Sequence, residues 1–207
     1  MTKIEYIDYM INSLQAADKT NKFHPKQVEA AINFATNTVF YDLYRKNPKS
    51  VMKSMERYAI HPTPFTVIYS LGVAKPRYTT NLDFDVVNLP TKGSGIIEIL
   101  EVDASGDAII DTTTKFIPVS VIEGRQFYGS ESSLPDNIIG YTLTDNRTIE
   151  YWGMTQAIAN LGVHARIIKQ FRYHTDTTDI MLPYGQDEKI MELVGLYMGV
   201  DLSPGKN

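Results

Sequence analysis

The chain has no cysteine. Disulfides, thiolate metal sites and cysteine nucleophiles are therefore excluded, and a secreted, disulfide-stapled module is not expected. No run approaches the roughly 18 consecutive apolar residues that a bilayer-spanning helix needs, so no membrane partner is expected. Residues 1–14 carry Glu5 and Asp8 and lack a continuous apolar stretch, so they do not read as a signal peptide. Positive charge is not in excess: 20 Lys and Arg stand against 24 Asp and Glu, for a formal net charge of −4. A tight nucleic-acid grip would favour clustered Lys and Arg. A surface past which DNA slides without adhering remains compatible with this balance.

The motifs of common enzyme chemistry are also missing. There is no Walker loop, no G-x-G-x-x-G and no G-x-S-x-G elbow, and Gly93-Ser94-Gly95 is too short to replace one. His24, His61, His164 and His174 share no ligand spacing. Residues 103–107 place oxygen donors at alternate positions, as a calcium loop does. However, the loop has Ala108 where glycine is needed and Thr114 where the acidic twelfth ligand belongs, so a hairpin turn is expected. Glu98 and Glu101 fall on opposite sides of a strand, and Glu101 and Asp103 lie at its turn, where solvation is the expected role. Arg147, Arg166, Lys169 and Arg172 differ in strand parity and make no continuous phosphate track. Asn146-Arg147-Thr148 matches a glycosylation sequon inside an expected hairpin. No catalytic residue, metal or cofactor is expected.

What is present is a change of period along the chain. With 43% hydrophobic residues and 207 residues in all, the chain suits one domain, or one domain with an inserted module. Thr2 and Glu5 have capping-box spacing, ahead of a helix with Ile4, Ile7, Ile11 and Leu14 as its seam, ending near Ala17. Residues 25–44 hold the longest helical pattern. Val28, Ile32, Ala35, Val39 and Leu43 form one stripe, and Phe34, Phe40 and Tyr44 form a second row beside it. Pro25 suits the first helical position, with His24 as a cap. Asn47-Pro48 opens a short third helix through Val51, Met52, Met55 and Tyr58.

Pro62 and Pro64 impose extended backbone, and strand-like patterns follow. They cover residues 65–69, 78–87, 96–102, 108–110, 116–122, 138–144, 147–151 and 165–173, six to eight strands in all. Residues 138–144 and 147–151 read as a hairpin with a two-residue Asp145-Asn146 turn at positive φ. Residues 186–200 return to helical spacing through Ile190, Leu193, Val194, Tyr197 and Met198. The expected fold is α+β: an N-terminal helical part (1–61), an inserted antiparallel β module (62–183), a C-terminal helix (184–200) packing on the N-terminal helices, and a tail (201–207).

This order of elements resembles the head–tail connector (adaptor) proteins of tailed bacteriophages, which form a ring beneath the portal. The residues that carry the likeness are AINFATNTVFYDLY with Asn33 and Asn37, Leu89-Pro90 after a strand, and the hairpin IIGYTLTDNRTIEYW. The late segment RIIKQFRYH leading to DIMLPYGQDEKIMELVGLYMG completes it. Within that family the sequence looks most like the ring proteins of crAss-like phages. Residues 62–78 and 126–136 have no family counterpart. The resemblance implies a non-catalytic virion protein in a homo-oligomeric, twelve-fold ring that contacts the portal and adjacent tail or ring proteins, with DNA passing through its lumen during ejection. Such a subunit needs lateral surfaces rich in Tyr, Phe and Arg. On that logic the interface candidates are Phe34, Phe40, Tyr44, Phe127, Tyr128, Tyr151, Trp152, Arg172, Tyr184 and Tyr197. The alternative readings are another tail or baseplate subunit, or a β-sandwich binding module with helical flanks.

Overall fold

The computed structural model describes residues 1–68, 74–90, 93–110, 113–120, 122–123, 137–177, 179–180, 182–183 and 185–202. The chain divides into two compact units, one of Met1–Met55, Val87–Pro90 and Lys169–Asn207, the other of Glu56–Val86 and Thr91–Ile168. The helical unit therefore takes in residues 169–183, placed with the β module on sequence, while the β unit begins at Glu56.

In the helical unit, α1 (Lys3–Ala17) starts at a complete capping box. The Thr2 amide donates to Glu5 Oε2 at 2.8 Å, and the Glu5 amide donates to Thr2 Oγ1 at 3.4 Å. The Thr2 amide, and after it the Thr2 side chain, favour the ionised Glu5 carboxyl and hold it below its usual value. The buried face is Lys3, Tyr6, Ile7, Met10 and Leu14, a rotation from the expected seam that leaves Ile4 half exposed. Lys3 tolerates this because its Nζ reaches Glu29 Oε1 at 2.6 Å and the Arg172 carbonyl at 2.8 Å, so the buried ammonium is paired.

Helix α2 (Pro25–Lys46) begins with His24, whose Nδ1 accepts from the Lys26 amide at 3.3 Å. It ends with Arg45 and Lys46 at the negative end of its dipole. Asn47 then closes α2 and opens a 3₁₀ helix, Pro48–Ser54, with its Oδ1 accepting from Lys49 N at 3.1 Å. The expected third helix stops there, because Tyr58 belongs to the first strand. The core joins Tyr6, Met10 and Leu14 to Val28, Ile32, Ala35 and Val39, then to Phe171, Ile190 and Val194. The last two come from the closing helix, α4 (Asp187–Met198), which packs on α2 as expected.

Among the described residues the β unit holds eight strands: β1 (Glu56–Ile60), β2 (Thr63–Ile68), β3 (Ala74–Asn81), β4 (Ile96–Glu101), β5 (Lys115–Pro118), β6 (Ile138–Leu143), β7 (Thr148–Trp152) and β8 (Val163–Ile167). They form a three-stranded sheet, β1-β8-β4, and a five-stranded sheet, β2-β3-β7-β6-β5. One pairing departs from the antiparallel expectation: β5 runs parallel to β6, Lys115 opposite Ile138 and Pro118 opposite Tyr141. A short helix that sequence reading left out, α3 (Gln156–Leu161), is capped by Thr155 and ends at Gly162 with φ 87°. A Cβ there would lie 2.8 Å from the Ile60 carbonyl and from His61 Nδ1, so the position requires glycine.

The β6–β7 hairpin forms with a different turn. Thr144 N donates to the Thr148 carbonyl at 2.9 Å, and Asp145 Oδ1 accepts from Arg147 N at 2.7 Å and Thr148 N at 2.6 Å. The Asp145 carboxylate thus organises the loop. Among the described non-glycine residues only Ser94 has positive φ, so the expected two-residue turn at Asp145-Asn146 is not used.

Candidate interaction surfaces

Helices α2 and α4 lie side by side, with Lys189 Nζ bonded to Asp42 Oδ2 at 2.7 Å and the Phe34 and Tyr197 rings 5.6 Å apart. The Lys189 bond holds the Asp42 carboxyl below its ordinary value. These contacts run in opposite senses along the two helices, which makes the pair antiparallel. Its outer side carries Phe34, 52% exposed, Leu196, 76%, and Tyr197, 59%. Apolar side chains that touch each other and remain in water mark a contact surface more often than isolated ones do.

Beside them lies a groove of about 560 Å³ lined by Leu193, Leu196, Val200 and Leu202, with Lys189 and Glu192 among its charged groups. A reversal of the chain forms it. Gly199 adopts left-handed φ of 74°, and the Val200 amide returns to the Gly195 carbonyl at 2.8 Å. Gly195 is part of the same device, because a Cβ there would lie 2.6 Å from the Val200 carbonyl oxygen.

A second surface belongs to the three-stranded sheet. Arg57 on β1 stands opposite Arg166 on β8, and Arg166 stands opposite Glu98 on β4. Directly opposed residues project to the same face, so the row reads Arg57, Arg166, Glu98. Arg166 Nε contacts Glu98 Oε2 at 3.2 Å. Arg57 is exposed. The next row on this face is Ala59, His164 and Leu100, in which His164 Nδ1 is buried without a hydrogen-bond partner among the described residues.

The expected interface residues divide clearly. Phe34 and Tyr197 are exposed and touch; Arg172 is exposed, its guanidinium 4.8 Å from the Tyr173 ring centre; Tyr44 is half-buried. Phe40, at 2% exposure, and Tyr151 and Trp152, at 0%, belong to the core. Phe34 and Phe40 do not share a row, because six residues at about 100° each place them about 120° apart around a helix. Tyr151 and Trp152 lie on β7, flanked by β3 and β6. Tyr151 pairs across to Tyr78 and Tyr141, and Trp152 lies under the Arg77 guanidinium at 5.1 Å. Burial raises the Tyr151 phenol above its ordinary pKa. Phe127, Tyr128 and Tyr184 lie outside the described residues.

The carboxylates considered for chemistry are engaged structurally. Glu98 meets Arg166, and Asp103 Oδ1 accepts from the amides of Ser105 at 2.8 Å and Asp107 at 2.9 Å. Val102 and Ala108 bridge across that turn, which is the hairpin turn expected there. Among the described residues no three His, Asp or Glu side chains converge in a metal-holding group, and no helix is long and apolar enough to cross a membrane.

Sequence reasoning passed over Leu196, Glu192 and Arg57. Leu196 had a signal: it continues the Glu188, Glu192 row at four-residue steps, an apolar residue on a polar stripe. Arg57 had none, since its strand was read as helix. No protein-family model matches the chain, and no curated protein matches it.

Proposed function

We propose that this protein is a structural virion subunit of an oligomeric ring at a phage head–tail junction, where DNA passes through the lumen and the portal and adjacent tail or ring proteins are its neighbours. The observation that carries the reading is the exposed Phe34–Leu196–Tyr197 patch on α2 and α4 of the helical unit. Touching apolar side chains left in water mark contact surfaces more often than isolated ones do, and a subunit with lateral neighbours would cover them. The element order, helices then strands then a closing helix, is that of the connector family this sequence resembles. A formal net charge of −4 suits a lumen to which phosphates should not adhere.

Electron microscopy and multi-angle light scattering of the purified chain, alone and mixed with the portal protein, test this directly. A closed ring is the expected result. Monomer mass under both conditions refutes it.

A further inference from the structure

We infer that the occupant of the acidic groove on α4 is a second copy of this chain, which presents Arg57 of its three-stranded sheet to Glu192. The inference rests on the ring reading above and names the contact that would build it.

Two features of one chain fit each other. On the sheet, Arg57 and Arg166 are directly opposed, so their Cβ atoms are about 5 Å apart and the like charges are unfavourable. Glu98 answers only one of them: it contacts Arg166 at 3.2 Å, while Arg57 is exposed and makes no ion pair among the described residues. An anionic group arriving from outside would relieve that repulsion. On α4 the imbalance has the opposite sign. Lys189 is occupied by Asp42 at 2.7 Å, which leaves Glu192 in the groove wall, and Glu188 one turn before it, exposed and without a cation among the described residues.

Shape follows charge. Beside Glu192 the groove is apolar, through Leu193, Leu196, Val200 and Leu202. An arginine has an aliphatic stem that covers such a surface and a planar head that takes a carboxylate in two hydrogen bonds. Spacing agrees as well. Arg57 and Ala59 are two residues apart on a strand, about 6.7 Å, and Glu192 and Leu196 are four apart on a helix, about 6 Å. Arg57 over Glu192 therefore brings the small Ala59 over Leu196, the most exposed apolar side chain on α4 at 76%. A contact between two different surfaces can repeat head-to-tail from copy to copy, which is the arrangement the ring reading requires.

The test is a charge swap in the full chain: wild type, Arg57→Glu, Glu192→Arg, and the double variant, followed by sedimentation velocity and mass photometry over a concentration series. Both positions are exposed; Arg57→Glu puts an acid opposite Arg166 and Glu192→Arg puts a cation one turn after Glu188, so thermal melts should equal or slightly exceed wild type. Each single variant should raise the concentration for half-assembly at least about tenfold, since opposed like charges at an interface cost several kcal/mol. The double variant should return it to within about threefold of wild type, the reversed pair restoring the attraction. Singles that assemble like wild type, or a double variant no better than the singles, overturn the inference while the ring reading stands. A wild-type chain that remains monomeric at its highest soluble concentration overturns both.

Discussion

Gly195→Ala is a sharp probe of the turn that ends α4, because two effects of opposite sign compete there. Alanine inside a helix is favoured over glycine by about 1 kcal/mol, so an open site would be stabilised. Here the new methyl would lie 2.6 Å from the Val200 carbonyl oxygen and 2.8 Å from Leu202 Cγ. Reaching ordinary contact means opening the turn by about 0.8 Å. That movement stretches the 2.8 Å bond from the Val200 amide to the Gly195 carbonyl, worth about 1 kcal/mol, or more if either group stays buried and unpaired. It also lifts Val200, which is 9% exposed, with about 1–2 kcal/mol of apolar burial at stake. The opposing terms total about 2–4 kcal/mol, so the net expectation is about 1–3 kcal/mol of destabilisation, a fall in Tm of several degrees for a chain of this size. Thermal and urea melts followed by circular dichroism read it. Gly199→Ala is the control: φ is 74° but nothing lies within 4 Å of its Cβ, so only the left-handed backbone cost of about 1–2 kcal/mol applies. A rise in Tm for Gly195→Ala would refute the close approach of residues 200–202 to the helix.

Ile32→Asp places a carboxylate at a site of 0% exposure, and should cost more than about 4 kcal/mol and unfold the helical unit. A soluble variant with a native melt would show that α2 is not central. Gly162→Ala combines φ 87° with a Cβ 2.8 Å from the Ile60 carbonyl, and Ile60 is pinned opposite Val163. A loss of about 2–4 kcal/mol is expected, and a neutral effect on urea melts would argue against that geometry. Glu5→Gln tests the capping box by pH. The Glu5 carboxyl is held below its usual value in the fold, so its contribution is present above the unfolded carboxylate pKa and disappears as the pH falls through the folded one. Wild type should melt above Glu5→Gln at pH 7, and the two should converge in acid; a gap unchanged at low pH would mean that charge is not the cause.

Local signals in the sequence were reliable where the physics is local. The Thr2–Glu5 box, Pro25 behind His24, and the Val28–Ile32–Ala35–Val39 stripe all depend on residues within a turn or two of one another, and all are present. So are the α+β class and the return to helix after residue 186. What escaped depends on partners distant in sequence. Lys3 looks like a surface residue until Glu29 and the Arg172 carbonyl are brought to it. Tyr58 continues a helical spacing, yet residues 56–60 pair with β8, more than a hundred positions later. The parallel β5–β6 pair leaves no trace in either strand's pattern, since pairing direction is a property of the connection. The candidate surface was half legible. Aromatic content identified Phe34 and Tyr197 but could not separate them from Phe40, Tyr151 and Trp152, because burial of an aromatic is decided by what covers it.

The helical core has a consequence in time. Its apolar residues are contributed near the beginning of the chain by α1 and α2 and near residue 200 by α4. A ribosome making about 5–20 residues per second therefore exposes Val28, Ile32 and Val39 for many seconds before Ile190 and Val194 exist to cover them. Every strand of the β unit is synthesised within that interval and can fold first. The Phe34–Tyr197 pair is completed only once α4 has been made, since Tyr197 sits on that helix. Under the ring reading proposed above, contacts through that patch would be open only to subunits whose helical core has closed, a proofreading step supplied by the order of synthesis alone.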